Sequence, residues 1–182
     1  MDALMKEDIY TIEDIYNLPD GERAELIDGK IYYMASPGRT HQRISLLLTR
    51  KIADYIDEHE GKCEVYAAPF AVFLNNDNIN YVEPDISVIC DLSKMNEKGC
   101  YGAPDFIIEI VSPSSRQMDY FTKLFKYSSS GVKEYWIVDY MKQRVTVYNF
   151  KNETVEDYAF GEEVPVGIYE GMLKLNLTKD LI

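Results

Sequence analysis

The sequence predicts an α/β (α+β) fold: a central mixed β-sheet flanked by helices, with an N-terminal β-hairpin and a β-rich C-terminal tail. Three observations carry that prediction. Two apolar segments of strand length, Glu83-Pro84-Asp85-Ile86-Ser87-Val88-Ile89 and Asp105-Phe106-Ile107-Ile108-Glu109-Ile110-Val111, each hold a carboxylate among β-branched residues. Between Thr40 and His59, the residues Ile44, Leu47, Leu48, Ile52, Tyr55 and Ile56 recur at three-and-four spacing, as on one face of a helix. Asp28-Gly29 stands between β-type residues and is a preferred pair for a two-residue turn.

The elements follow in order along the chain. A short amphipathic segment is expected around residues 11–17, then a hairpin over 24–35. The long helix begins with Thr40 as its cap and is closed by Gly61. Strands are expected over 63–74, 81–90 and 104–111, then a helix over 117–130 and strands over 134–139 and 144–150. Residues 151–182 form the β-rich tail. The segments 75–78 and 94–99 read as polar loops, and no repeat or low-complexity stretch interrupts the series.

At 182 residues, 46% of them hydrophobic, the chain is expected to form one domain over 1–182. No run of 18 apolar residues exists, so no membrane association is expected. Asp2, Glu7, Asp8, Glu13, Asp14 and Asp20 argue against a basic, apolar leader, and a cytoplasmic location is expected. Cys63, Cys90 and Cys100 are an odd set without a Cys-x-x-Cys pair, expected to be reduced and structural. The net charge of −12 excludes a general nucleic-acid coat, which binds phosphate through a basic surface. The distribution qualifies that exclusion, because the acids concentrate in residues 1–28 and 152–182. Between Ser112 and Lys133 the balance reverses, with Arg116, Lys123, Lys126 and Lys133 against Asp119.

The chemistry centres on the two strand acids. An ionised carboxylate removed from water costs several kcal/mol unless compensated. On a two-residue period, Glu109 shares a face with Ile107 and Val111 while Phe106, Ile108 and Ile110 share the other, so the strand is apolar on both sides of its acid. A hard divalent metal between Asp85 and Glu109 accounts for both charges. Plainer readings stand beside this one. Asp85 could cap a turn after Pro84, Glu109 could meet a buried Arg or Lys, and Lys123 could form a surface helix pair with Asp119 four residues before it. Glu25 could be an exposed strand acid. His41 fits a structural histidine or one that contacts phosphate. Tyr135 and Trp136 fit a core strand, and Ser112, Ser114 and Ser115 fit a turn better than a nucleophile.

Six pieces in a fixed order carry a resemblance. They are Glu25-Leu26-Ile27-Asp28-Gly29-Lys30-Ile31; Met34-Ala35-Ser36-Pro37 with His41-Gln42-Arg43-Ile44; Pro84-Asp85-Ile86-Ser87-Val88; Glu109-Ile110-Val111-Ser112-Pro113-Ser114-Ser115-Arg116; Asp119 with Lys123 and Tyr127; and Gly131-Val132-Lys133-Glu134-Tyr135-Trp136-Ile137-Val138-Asp139. Over about residues 10–150 the chain resembles the Uma-two family, classed as restriction endonucleases, within the restriction-endonuclease-like nucleases marked by Pro-Asp, a spacer, then Asp or Glu, any residue, and Lys. One departure stands out: Val111 occupies the lysine position two residues after Glu109.

The resemblance implies a restriction-endonuclease-like core and a metal-dependent DNA endonuclease. Mg²⁺, with Mn²⁺ as substitute, would be held by Asp85, Glu109 and the carbonyl of Ile110, with Glu25 as a third carboxylate. Lys123 would supply the missing ammonium from the following helix. Arg39, His41, Arg43, Arg116 and Lys126 would contact the DNA, expected to be double-stranded. A homodimer is expected, as for nucleases that cut both strands. Two rivals come from other classes: a nuclease-like module that binds DNA or protein without turnover, and a glycosidase using two carboxylates as acid and base.

Overall fold

The computed structural model describes residues 9–113 and 115–182; Ser114 and the acids Asp2, Glu7 and Asp8 lie outside them. The elements, in chain order, are α1 (Ile12–Tyr16), β1 (Ala24–Ile27), β2 (Lys30–Tyr33), α2 (Arg39–Glu58), β3 (Glu64–Ala67), β4 (Val72–Phe73), β5 (Ile86–Ile89), β6 (Met95–Asn96), β7 (Gly99–Tyr101) and β8 (Phe106–Ile110). A π-helical turn, Met118–Lys123, leads into α3 (Leu124–Ser130). Strands β9 (Glu134–Asp139), β10 (Arg144–Asn149), β11 (Thr154–Ala159), β12 (Glu163–Pro165) and β13 (Lys174–Asn176) complete the chain.

A six-stranded sheet in the order β11-β10-β9-β8-β5-β3 forms the centre. Only β8 and β9 pair in parallel; the other neighbours are antiparallel, so the sheet is mixed as expected. Its two faces follow the two-residue period. Phe106, Ile108, Ile110, Trp136 and Val138 face the Ile44–Leu48–Ile52–Ile56 stripe of α2 together with Val164, Leu175 and Leu177 of the tail. Ile107, Val111, Tyr135 and Ile137 face Tyr127 and Val132 on the opposite side. Each fully buried Ile or Leu contributes about 1.5–3 kcal/mol relative to exposure, so these two layers hold the sheet between them.

The Asp28-Gly29 turn closes the β1–β2 hairpin with both residues at positive φ (50° and 75°), the conformation that such a turn requires. The hairpin docks on the segment before β5 through a bridge between Leu26 and Tyr81. Ile15, Ala24, Leu26, Phe73 and Tyr81 form a separate apolar cluster beneath it.

Several local expectations are corrected. Helix α2 starts at Arg39 with Gly38 at its cap, and Thr40 lies inside the helix. The strand expected over 63–74 is two strands, interrupted around Pro69, which has no N–H to donate to a ladder. The polar segment 94–99 contains β6 and the start of β7, which pair with each other. The helix expected over 117–130 opens as a π-turn. The cysteines are not all reduced: Cys63 and Cys90 are disulfide-bonded, and only Cys100 is free among the described residues. The register Glu64↔Ile89 places residues 63 and 90 opposite each other, a proximity that 27 residues of sequence separation conceal. No described helix is long and apolar enough to cross a membrane.

A buried carboxylate and lysine cluster

Asp85 immediately precedes β5, and the pairing Ile86↔Ile108 sets it opposite Glu109 on β8. The two acids interlock through backbone. Asp85 N–H donates to Glu109 Oε2 at 3.3 Å, and Ile110 N–H donates to Asp85 Oδ2 at 2.7 Å. The segment leading to Asp85 is held by Glu83, which accepts from Arg23 and, at 2.6 Å, from the Tyr81 hydroxyl.

The hairpin brings a third acid. Glu25 is buried on β1, and its Oε1 accepts from Glu83 N–H at 3.0 Å. Lys123, the last residue of the π-turn, places its ammonium 2.8 Å from Glu25 Oε2 and 2.9 Å from Glu109 Oε1. Asp119 Oδ1 lies farther off, at 3.9 Å. The wider π-turn and the first turn of α3 point Asp119, Lys123, Lys126 and Tyr127 inward, while Phe121 and Phe125 face solvent. Tyr127, fully buried, donates to Glu109 Oε1 at 2.6 Å. His41, in the first turn of α2, sets Nε2 3.0 Å from Asp85 Oδ2; its Nδ1 is buried without a partner among the described residues.

Charge is unbalanced in this cluster. Glu25, Glu109 and, farther off, Asp119 meet a single ammonium, with Asp85 beside Glu109. Burial, then Asp85, Asp119 and Glu25, push the Glu109 carboxyl well above its ordinary range against the pull of Lys123. Burial likewise raises Asp119, to about 6. Burial alone would depress Lys123, but Glu109, Glu25 and Asp119 outweigh it and hold the ammonium well above its usual range. The site therefore keeps one cation and is short of more positive charge.

The sequence-predicted residues divide on their placement. Asp85, Glu109, Glu25 and Lys123 converge, with the amide of Ile110 anchoring Asp85. His41 faces Asp85 rather than the surface. Arg39 is exposed at the start of α2, and Arg43 donates to the Asp180 carbonyl at 3.1 Å. Arg116 pairs with the buried Asp139 at 2.9 Å. Lys126 is corrected as a DNA contact: its side chain is buried, with the ammonium 2.5 Å from Asp28 Oδ1, because the hairpin turn packs over α3. Sequence reasoning assigned no role to Tyr127, although its position four residues after Lys123 puts both on one helical face. It also passed over Arg50, exposed seven residues after Arg43 on the outer face of α2.

Hard oxygen donors and surplus negative charge suit a divalent cation of the Mg²⁺ type. Asp85 keeps 17% of its side chain exposed, so an ion can reach it. Among the described residues no group of three or more His, Cys, Asp or Glu is arranged as a metal site. The Lys123 ammonium already stands between Glu25 and Glu109. A surface hollow lined by Gly61, Lys62, Cys63, Glu64, Cys90, Asp91 and Leu92 shares no residue with the cluster.

The sequence profile of the Uma2 family, described as "Putative restriction endonuclease", matches residues 10–177, reaching past residue 150 into the tail. The uncharacterized protein slr1290 of Synechocystis is 28% identical over 133 residues, covering 72% of this chain and 68% of that protein. A crystal structure of a putative nuclease belonging to DUF820 from Anabaena variabilis superposes with a TM-score of 0.74 at 24% identity, covering 94% of this chain and 96% of that one. That likeness establishes the shared fold.

Proposed function

The chain belongs to the Uma2 family, and from that premise we propose that it is a Mg²⁺-dependent endonuclease acting on double-stranded DNA. The observation that carries the proposal is the meeting of Asp85, Glu109 and Glu25 with the Lys123 ammonium at 2.8–2.9 Å from the two glutamates, although Val111 occupies the usual lysine position. Asp85, Glu109 and the Ile110 carbonyl would hold the ion, with Mn²⁺ as substitute and Glu25 beside it. Held there, a divalent ion would supply Lewis acidity, activating a water and offsetting negative charge on the scissile phosphate. Lys123 orients the attacking water and faces the phosphate, and Tyr127 and Ile110 keep the two acids in position. Arg39 and Arg43 draw the DNA across the start of α2. The proposal includes a homodimer, so that two sites reach two strands, and a cytoplasmic location with the substrate; light scattering that returns a monomer at tens of micromolar would remove the dimer.

The test is plasmid cleavage with Mg²⁺ or Mn²⁺, with Asp85→Ala and Glu109→Ala as controls. Cleavage by the wild type that both substitutions abolish is the expected result. A second reading, a module that binds DNA or protein without turnover, is favoured by the ammonium seated between the glutamates and the lack of a three-ligand group among the described residues. DNA binding without cleavage under any divalent cation selects it.

A further inference from the structure

We propose that Lys123 is the resident cation of this cluster and competes with the divalent metal, so that the ion enters only as the ammonium gives up Glu109 and withdraws to Glu25 and Asp119. The inference rests on the metal site proposed above. Glu109 Oε1 already takes two donors, Lys123 at 2.9 Å and Tyr127 at 2.6 Å, in a pocket almost closed to water. Glu109 is therefore the proposed metal ligand that the lysine ammonium already holds. Asp85 is not held in this way, since its Oδ2 takes the Ile110 amide and His41.

The alternative acceptors for the ammonium are in place. Glu25 already receives it at 2.8 Å, and Asp119 stands at 3.9 Å, one helical turn back and within reach of a small rotation of the lysine stem. Neither is one of the proposed ligands: Glu25 stands beside the ion, and Asp119 has no part in holding it. A divalent ion and an ammonium sharing one carboxylate oxygen repel each other, so the metal's entry and the lysine's withdrawal are one event. That withdrawal keeps the ammonium beside the ion, held by Glu25 and Asp119, in place to orient a water. Lys123 then serves first as a placeholder for charge and afterwards as the water-orienting group, a double use that explains why it can sit on a helix rather than two residues after Glu109.

The inference reverses the usual effect of deleting a residue that neighbours a metal. Lys123→Met and Lys123→Gln remove the competitor and leave its acids unpaired, so calorimetric titration with Mn²⁺ alone should show binding at least tenfold tighter than wild type. Thermal unfolding provides a second reading: without metal both variants melt lower than wild type, and saturating Mn²⁺ raises their midpoints more than it raises the wild type's. Lys123→Arg, which keeps the charge, stays near wild-type affinity. If Lys123→Met does not fold without metal, Lys123→Gln, which retains a hydrogen-bond donor, carries the comparison. Wild-type binding with equal or weaker affinity in the folded neutral variants overturns the competition while leaving the metal site standing. No heat of binding in any of the proteins at millimolar Mn²⁺ or Mg²⁺ overturns the metal site itself, and the competition with it.

Discussion

Removing a single oxygen atom, in Tyr127→Phe, tests whether the cluster is held from behind. The ring is fully buried and packs edge-on against Tyr135 with centroids 5.0 Å apart, and phenylalanine preserves that contact. What is lost is the 2.6 Å bond to Glu109 Oε1. Burial first, then Glu109 and Glu25, keep the Tyr127 hydroxyl far above the ordinary phenol range, so it is a neutral donor at every working pH. A hydrogen bond to a charged group contributes about 1.5–3 kcal/mol, which in a chain of this size corresponds to a fall in melting temperature of about 3–12 °C. Glu109 then keeps Lys123 but loses the contact that fixes its carboxylate plane. Single-turnover cleavage should fall about 10–100-fold, as for other groups that orient a ligand from outside, while DNA affinity stays unchanged because Tyr127 has no path to the surface. The assays are a thermal melt, a filter-binding curve and a single-turnover time course with Mg²⁺. An unchanged melting temperature together with an unchanged cleavage rate would refute the reasoning, and equal losses in binding and cleavage would show that the site collapses instead of loosening.

Further expectations follow from the same geometry. Asp119 ionises near 3.8 in the unfolded chain and near 6 in the folded one, so the unfolded chain holds fewer protons between those values and folding weakens as pH rises through that window, then levels off above about 6. In Asp119→Asn that decline, on the order of 1–3 kcal/mol, should become shallower in urea unfolding measured between pH 4 and 7; an unchanged slope would assign the decline elsewhere. Arg39→Ala and Arg50→Ala should each weaken DNA binding on any sequence and lower the slope of log affinity against log salt by about one, and slopes identical to wild type would take the outer face of α2 out of the DNA path. Thiol titration of the unreduced, unfolded protein should find one reactive cysteine, Cys100, and three after reduction; three before reduction would remove the Cys63–Cys90 bond.

Much of the fold was legible because its signals are local. The α2 stripe, the hairpin turn and strands β8, β9 and β10 follow from a helical or two-residue period, and from the positive φ that Asp28-Gly29 adopts easily. Asp85 and Glu109 were legible for a related reason: an acid inside an apolar strand signals an unmet charge wherever the strand ends up. The departures arose where local preference was weak or overridden. Gly38 took the cap from Thr40, and β6 formed in a polar loop because β7 lay beside it.

By itself, then, the sequence determined which residues form strands and helices and which acids need a cation, since burial of one face and the cost of a lone charge are properties of short stretches of chain. Only the tertiary structure decided what answers those charges. Lys123 meets Glu25, and Lys126 meets Asp28, each across 98 residues, and the difference between a site lysine and a buried tether lies in how the hairpin packs against α3. His41 against Asp85, Tyr127 against Glu109 and Cys63 against Cys90 were settled in the same way, because the partner of a polar side chain is fixed by which surfaces the core brings together, and sequence spacing carries no record of that.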